Sequence, residues 1–499
     1  MLRPFALAIL LSITLGSIAS QASAQTLLGG PYPPAMFPDA GLWGVNIHNP
    51  YRATPMHDLK TQWVRLSLRW RHIEVDRKGN YDWQKADKLI NFYLENHFRP
   101  LVILTVENIN PLYKKDKDNK TLVINAIARW MQAAAERYAG KPIIWELGNE
   151  PEVFPMNGYW SNAKTYTQMA VKAASLMKRS DPNCIIAALS LAWMDRSFAS
   201  QALNAGLLDD GNIELLSFHG YHRRNLMPES GLAEDISWLR QMAQKHAPKG
   251  KVVDVIDSEC GYSITEQGKP KHWASWRLKL YSLEEQAAYL ARHYLEEIAC
   301  GIEVSIWYKD MNGEHAYSLY HKDEKDPRGL RPMGHVFRNL ATLLPDNPKS
   351  MVNTQYPVSL IDLPDKLSAP DAIVNVRSYL RTYLRDEGQK QQLIVAMWNP
   401  VEAFDGKILE SRKRQGDVYV ETWRDQQPDD YVKLPVKVQV TGLKDRRIVA
   451  ARTCDILSED SDQMLDELKT DWATGNPQLI TDTLHVGPIP TVLVFDIVP

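Results

Sequence analysis

Ile143-Ile144-Trp145-Glu146-Leu147-Gly148-Asn149-Glu150-Pro151-Glu152 is a short apolar run that ends abruptly in polar residues, and an amphipathic stretch follows over 163–178. A run of strand length followed by a helix-length stretch of 3.6-residue period is one β–α unit. The same unit recurs in both directions. Strands are predicted at 41–47, 63–68 and 101–106 before it, and at 185–191, 213–219, 252–257 and 304–307 after it. Helices are predicted at 82–96, 122–138, 195–205, 232–245, 283–298 and 332–344, and Ser282 ahead of Leu283-Glu284-Glu285 reads as an N-cap with acidic residues in the first turn. Between the first two strands, residues 55–60 leave room only for a short helix. Strands alternating with helices give a parallel sheet covered on its faces. Eight such units close it into a (β/α)8, or TIM, barrel. Near-continuous apolar strands fit a sheet buried on both sides.

The pattern changes after Pro345. Strand-like runs follow at 372–384, 393–398, 432–440, 448–453 and 491–498, separated by polar and Gly/Pro turns, and the polar stretch 405–430 reads as a loop or hairpin excursion. This order predicts an antiparallel β-sandwich over 346–499 behind a barrel over 25–345. At the other end, Arg3, the apolar run 5–18 and the small residues Ala22-Ser23-Ala24 form a signal-peptide pattern with cleavage after Ala24. The expected product is exported, secreted or periplasmic, with no membrane insertion once residues 1–24 are removed.

Composition narrows the partners. A net charge of −2 on 499 residues does not suggest nucleic acid or an anionic membrane surface. With 15 Trp and 21 Tyr against 10 Phe, the aromatics favour rings with a polar handle, which suit surfaces that meet polar, ring-shaped ligands. Cys184, Cys260, Cys300 and Cys454 are far apart in sequence and are expected as buried free thiols. No His-Glu-x-x-His or paired Cys-x-x-Cys pattern occurs, so neither a metal nor another cofactor is expected.

In a barrel of this kind the chemistry sits where the strands end. The fourth strand ends at Asn149-Glu150, and Pro151 biases Glu150 away from right-handed helix. The seventh ends in Asp257-Ser258-Glu259-Cys260-Gly261-Tyr262. Strands four and seven face each other across an eight-stranded ring, so Glu150 and Glu259 point into one central space. Two opposed carboxyls suit glycoside hydrolysis: one attacks the anomeric carbon, and the other protonates the leaving oxygen.

The Gly148-Asn149-Glu150-Pro151 segment resembles the acid/base motif of clan A glycoside hydrolases, and Asp257 to Tyr262 resembles that clan's nucleophile segment. His219-Gly220-Tyr221, Ser305-Ile306-Trp307-Tyr308 and Trp63-Val64-Arg65 resemble its segments on strands six, eight and two. Tyr317-Ser318-Leu319 followed by Arg331-Pro332, on a barrel with a β-sandwich behind it, is most similar to glycoside hydrolase family 39 and related bacterial exopolysaccharide glycosidases. The resemblance implies roles. Glu150 is the acid/base and Glu259 the nucleophile. Asn149 meets the 2-hydroxyl of the sugar, Tyr221 and Arg65 hold Glu259, and His219 sits beside the same site. Trp307 lies under the sugar, and His48, at the end of the first strand, meets a hydroxyl.

The expected activity is therefore retaining hydrolysis of a β-linked polysaccharide or oligosaccharide, endo-acting because Trp160, Trp273 and Trp276 lie in long loops that could line a groove. The basic stretch 223–231 further suggests an acidic or substituted glycan. Two other readings use the same residues: a transglycosylase, and a non-catalytic glycan-binding barrel in polysaccharide export. Retention of both carboxylates and Asn149 argues against the second.

Overall fold

In the computed structural model the described residues are 32–48, 50–106, 109–153, 162–221, 227–262, 282–310, 317–320, 329–361, 379–401, 403–404, 407–415, 418–425, 433–470 and 476–499. The signal-peptide pattern, Trp160, Trp273, Trp276, Arg223 and Arg224 lie outside them.

Eight parallel strands form a closed barrel: β1 (Trp43–Asn46), β2 (Trp63–Arg69), β3 (Arg99–Thr105), β4 (Ile144–Glu146), β5 (Ile185–Leu191), β6 (Leu215–His219), β7 (Asp254–Cys260) and β8 (Ser305–Trp307). β8 returns to β1 with Trp43 opposite Ser305. The helices are α1 (Thr54–Asp58), α2 (Trp70–Ile73), α3 (Gln84–Glu95), α4 (Lys120–Arg137), α5 (Ala163–Ser180), α6 (Arg196–Asn204), α7 (Leu232–His246), α8 (Leu283–Ala299) and α9 (Pro332–Leu343). Two helix starts have the expected chemistry. The Ser282 hydroxyl accepts from the Glu285 N–H at 3.1 Å, and Asn162 Oδ1 accepts from the Thr165 N–H at 3.1 Å. The link between β1 and β2 holds only the short α1.

Side chains alternate along a strand, so every second residue points down the barrel axis. The lower interior is apolar: Trp63, Leu101, Ile144, Ala187, Leu215, Ile256, Val304 and Ile306 converge there, and Phe37 closes the floor with its ring 4.8 Å from that of Trp63. Each buried Leu, Ile, Val or Phe there contributes on the order of 1.5–3 kcal/mol. Two residues further along the same strands the interior turns polar. Trp63 is followed by Arg65, and Ile144 by Glu146, both fully buried. The same parity therefore builds a floor at one end and a site at the other.

Beyond the barrel the described residues hold strands and two short 3-10 turns (Pro348–Met351 and Ser461–Gln463); the strands are β9 (Val358–Ile361), β10 (Tyr379–Glu387), β11 (Lys390–Trp398), β12 (Ala403–Phe404), β13 (Lys407–Gln415), β14 (Val418–Asp425), β15 (Leu434–Thr441), β16 (Arg447–Cys454), β17 (Leu465–Glu467), β18 (Gln478–Ile480), β19 (Leu484–Val486) and β20 (Thr491–Val498). One antiparallel sheet runs β10-β11-β20-β16-β17; β15 pairs with β9, β18 and β19; and the excursion after residue 405 is a hairpin of β13 and β14. Leu393, Val395 and Met397 of β11 pack against Val436, Val438 and Val440 of β15 inside the sandwich. The alternate residues Ile394, Ala396 and Trp398, with Val492 and Val494, join the buried cluster of the barrel instead. This sheet is thus buried on both faces, which is why β11 reads as an unbroken apolar run. α8 lies under it and is buried from Glu285 to Ile298. Arg381 on β10 pairs with Glu296 at 2.6 Å, and the Tyr383 hydroxyl donates to the Leu295 carbonyl at 2.7 Å. All four cysteines are buried and unpaired. Among the described residues no helix is long and apolar enough to cross a membrane.

Candidate active site

Glu150 and Glu259 meet at the open end of the barrel. A carboxylate oxygen of each and a ring nitrogen of His219 lie within 4.8 Å of one another. Both side chains keep 13% exposure, so both are reachable from solvent.

Each carboxylate is aimed by an irregular backbone. On β7 the register with β6 shifts between Phe218 and His219, which face Asp257 and Glu259, leaving Ser258 as an extra residue. Such a bulge inverts the alternation locally. Ile256 points into the barrel, Asp257 points out toward α8, and Glu259 points in again. On the opposite side, Glu150 takes φ +43°, in the left-handed region, and its N–H donates to the Ser190 carbonyl at 2.9 Å. A non-glycine residue held there costs about 1–2 kcal/mol and persists only where its neighbours impose it.

Arg65 organises the centre. Its Nε and Nη2 donate to Glu146 Oε2 at 2.9 and 2.7 Å, Nη2 also reaches Asn149 Oδ1 at 2.8 Å, and Nη1 bonds to Glu259 Oε2. Asn46 Nδ2 donates to the same Glu259 oxygen at 3.2 Å, and the Tyr221 hydroxyl donates to Oε1 at 2.6 Å. His219 bridges to the other carboxylate: Nδ1 lies 2.9 Å from Glu150 Oε1, while Nε2 lies 3.0 Å from Ser190 Oγ. Arg65 spends Asn149 Oδ1 and thereby orients the Asn149 amide N–H groups as donors.

The charges follow from these contacts. Burial alone would raise the pKa of Glu259, but the positive His219 and Arg65 and the hydrogen bonds from Tyr221 and Arg65 outweigh it and hold the carboxylate below its ordinary range. Burial would lower His219, but Glu259 and Glu150 more than compensate, so its pKa is raised. Burial and the neighbouring Glu259 push the Tyr221 hydroxyl well up, keeping it a donor.

The expectation for Trp307 is corrected. Trp307 is fully buried, its indole N–H donates to the Tyr317 carbonyl at 2.9 Å, and its ring centre lies 6.2 Å from Tyr262 and 6.4 Å from Tyr294 of α8. It faces outward, into the barrel wall. The inward series on β8 is Val304, Ile306 and then Tyr308. Tyr308 is only partly buried, and its ring lies 5.0 Å from His48, 6.4 Å from Tyr221 and 5.6 Å from Tyr317. The aromatic face at the site is therefore Tyr308, one residue further on. His48 is exposed at the rim, and its backbone N–H donates to Asp310 Oδ1 at 3.2 Å.

Of the residues singled out from sequence, Glu150, Glu259, Asn149, His219, Tyr221 and Arg65 form one connected hydrogen-bonded group, with His48 at its edge through Tyr308. Sequence reading missed Glu146, Asn46, Ser190 and Tyr308. Strand parity could have found Glu146 and Tyr308, since each follows an inward apolar residue by two. It also missed Glu152, whose Oε1 accepts from the Ala192 N–H at 2.5 Å and whose pKa burial raises to about 7.

Comparison with known proteins bears on the fold and the family. No curated protein matches the sequence. Among solved structures, the chain is similar to a family 39 glycoside hydrolase from the gut symbiont Bacteroides cellulosilyticus WH2, at 16% identity and a TM-score of 0.53 over 93% of this chain and 82% of that one. It is also similar to a glucosidase from Croceicoccus marinus, at 11% identity and a TM-score of 0.50 over 92% of this chain and 96% of that one. At such identities the likeness concerns the fold, barrel and sandwich together. The family model for Cellulase (glycosyl hydrolase family 5) matches residues 30–295, more than half of the chain and the greater part of the barrel. The chain therefore belongs to the cellulase family of glycosyl hydrolases, family 5, and is an O-glycosyl hydrolase of clan A.

Proposed function

We propose that the protein cleaves a β-linked polysaccharide or oligosaccharide with retention of anomeric configuration, Glu259 acting as nucleophile and Glu150 as acid/base. The observation that carries this reading is that one carboxylate oxygen of Glu150 and one of Glu259 lie within 4.8 Å of each other. Retaining enzymes place their carboxyl groups about 5–5.5 Å apart, whereas inverting ones leave about 6.5–9.5 Å for a water.

In the first step a Glu259 oxygen attacks the anomeric carbon while Glu150 gives its proton to the glycosidic oxygen, and the aglycone departs as an alcohol. In the second, Glu150, now a carboxylate, takes a proton from water. The water oxygen bonds to the anomeric carbon, and the ester bond to Glu259 breaks. Arg65, Asn46 and Tyr221 keep Glu259 ionised and aimed. Asn149 offers its amide N–H groups to the 2-hydroxyl, a contact that strengthens as positive charge develops on the ring. Tyr308 presents its ring face to the C–H side of that sugar, and His48 at the rim binds a hydroxyl. We further propose endo action along a groove, export directed by residues 1–24, and a supporting role for 346–499 as a lid on the outer face of α8.

The test is digestion of a panel of β-linked glycans with mass detection, wild type beside Glu259→Ala. Internal cleavage products from one glycan, absent with the variant, support the proposal. Products longer than the substrate identify a sugar as the acceptor. Binding of a panel glycan without release of any product by folded wild type contradicts it and favours a non-catalytic barrel.

A further inference from the structure

Directly behind the nucleophile lies a second cluster that the glycosidase chemistry does not use. Asp257 and Cys260 on β7 point outward, toward His293 and Glu297 of α8, and all four are fully buried. His293 Nε2 lies 3.3 Å from Asp257 Oδ2 and 3.5 Å from Glu297 Oε1. One ligand atom each from Asp257, Cys260 and His293 falls within 4.8 Å of the other two. The carboxylates of Asp257 and Glu297 also lie against each other, with His293 as the cation beside both. Two carboxylates at zero exposure with so few donors are expensive, since an ion taken out of water costs several kcal/mol unless it is compensated.

We propose that Asp257, Cys260, His293 and Glu297 form a structural zinc site that ties the nucleophile strand to α8. The donor set is one that zinc accepts, and the spacing fits. Tetrahedral bonds of about 2.0–2.1 Å to nitrogen and oxygen separate such donors by about 3.3 Å, and a bond of about 2.3 Å to sulfur needs roughly 3.6 Å, within reach of a small turn of the Cys260 side chain. His293 and Glu297 stand four apart on one helix face. The outer contacts fit as well. The other ring nitrogen of His293, Nδ1, lies 3.3 Å from the Tyr262 hydroxyl, and Ser305 Oγ lies 3.8 Å from Cys260 Sγ. Metal-bound histidines usually spend their second N–H in this way. Asp257 Oδ1 accepts from the Gly220 N–H at 3.0 Å and from the N–H of Glu259 itself at 3.2 Å. A metal on the other oxygen would therefore fix the nucleophile's backbone. The packing leaves no slack: a Cβ at Gly220 would lie 2.0 Å from Asp257 Oδ2.

The experiment is metal analysis of the full chain, independent of any substrate. Protein produced in zinc-supplemented medium and dialysed should retain about one zinc per chain. Cobalt(II) supplied in place of zinc should give a tetrahedral spectrum with a thiolate charge-transfer band, a signature that needs no variant. Cys260→Ser should abolish that band, and His293→Gln should lose most of the bound metal while circular dichroism reports the fold. A wild type that retains neither zinc nor cobalt overturns the proposal. So does metal held undiminished, without a thiolate band, in both variants. Because the readout is metal content, failure here leaves the roles of Glu150 and Glu259 untouched, and failure of those roles leaves the zinc site untouched.

Discussion

Tyr221 donates its hydroxyl to Glu259 Oε1 at 2.6 Å, on the oxygen opposite the one that Arg65 and Asn46 hold. Both oxygens of the proposed nucleophile are therefore engaged, and both sets of donors favour its ionised form. Glu259 must be ionised to attack, so activity falls as pH drops through its pKa, which lies below the ordinary glutamate range. Tyr221→Phe removes one of the groups that lower it. The acid limb of kcat/KM is expected to move to higher pH, and kcat/KM at the optimum to fall roughly 10- to 100-fold, the worth of one hydrogen bond to a charged group. An acid limb that stays in place would show that Tyr221 does not act through Glu259.

Arg65 stands between two carboxylates, and its loss leaves the Glu146 charge without compensation at zero exposure. Arg65→Met is expected to cost about 3–5 kcal/mol in denaturant unfolding, because an unpaired buried charge is left behind. Arg65→Met combined with Glu146→Leu should recover much of that stability but none of the activity, since Glu259 still lacks its cation. Equal stability losses in the single and double variants would mean that the ion pair is not the source of the effect.

Glu152 gives a pH-dependent stability with the opposite sense to Glu259. Burial lifts its pKa from 4.5 in the unfolded chain to about 7 in the folded protein. Folding therefore favours the protonated form, and the protein loses stability as pH rises from the lower value through the higher one. Glu152→Gln keeps an acceptor for the Ala192 N–H and removes the charge. It is expected to match wild type near pH 4 and to exceed it near pH 8 by up to about 3 kcal/mol, the equivalent of the shift. A thermal-denaturation series across that range checks it, and a gain independent of pH would refute the assignment.

Much of this was legible in the residue order. The eight strand–helix units, the two rim carboxylates and the sandwich behind them follow from periodicity and from where apolar runs stop. What stayed hidden depended on single-residue shifts. The bulge at Ser258 turns Glu259 inward and sends Asp257 to the far side, and no pattern in Asp257-Ser258-Glu259 announces it. The resemblance of the strand-eight segment points to Trp307 as the sugar platform, yet strand alternation places Trp307 in the wall and Tyr308 at the mouth. Glu146 looks like one more strand residue until Arg65, distant in sequence, is seen to need a counter-ion. Long-range pairing of buried charges has no local signal. The same holds for α8, whose outer face is polar enough to read as solvated but is covered by Arg381 and Tyr383.

The most direct test of the account is the position of the covalent bond to sugar. Once the released sugar is known, wild type is treated with the matching activated 2-deoxy-2-fluoro glycoside, digested and analysed by peptide mass spectrometry. One added glycosyl unit is expected, located on Glu259 and absent from Glu259→Ala. An adduct on another side chain, or hydrolysis that releases the sugar with inverted anomeric configuration, would contradict it.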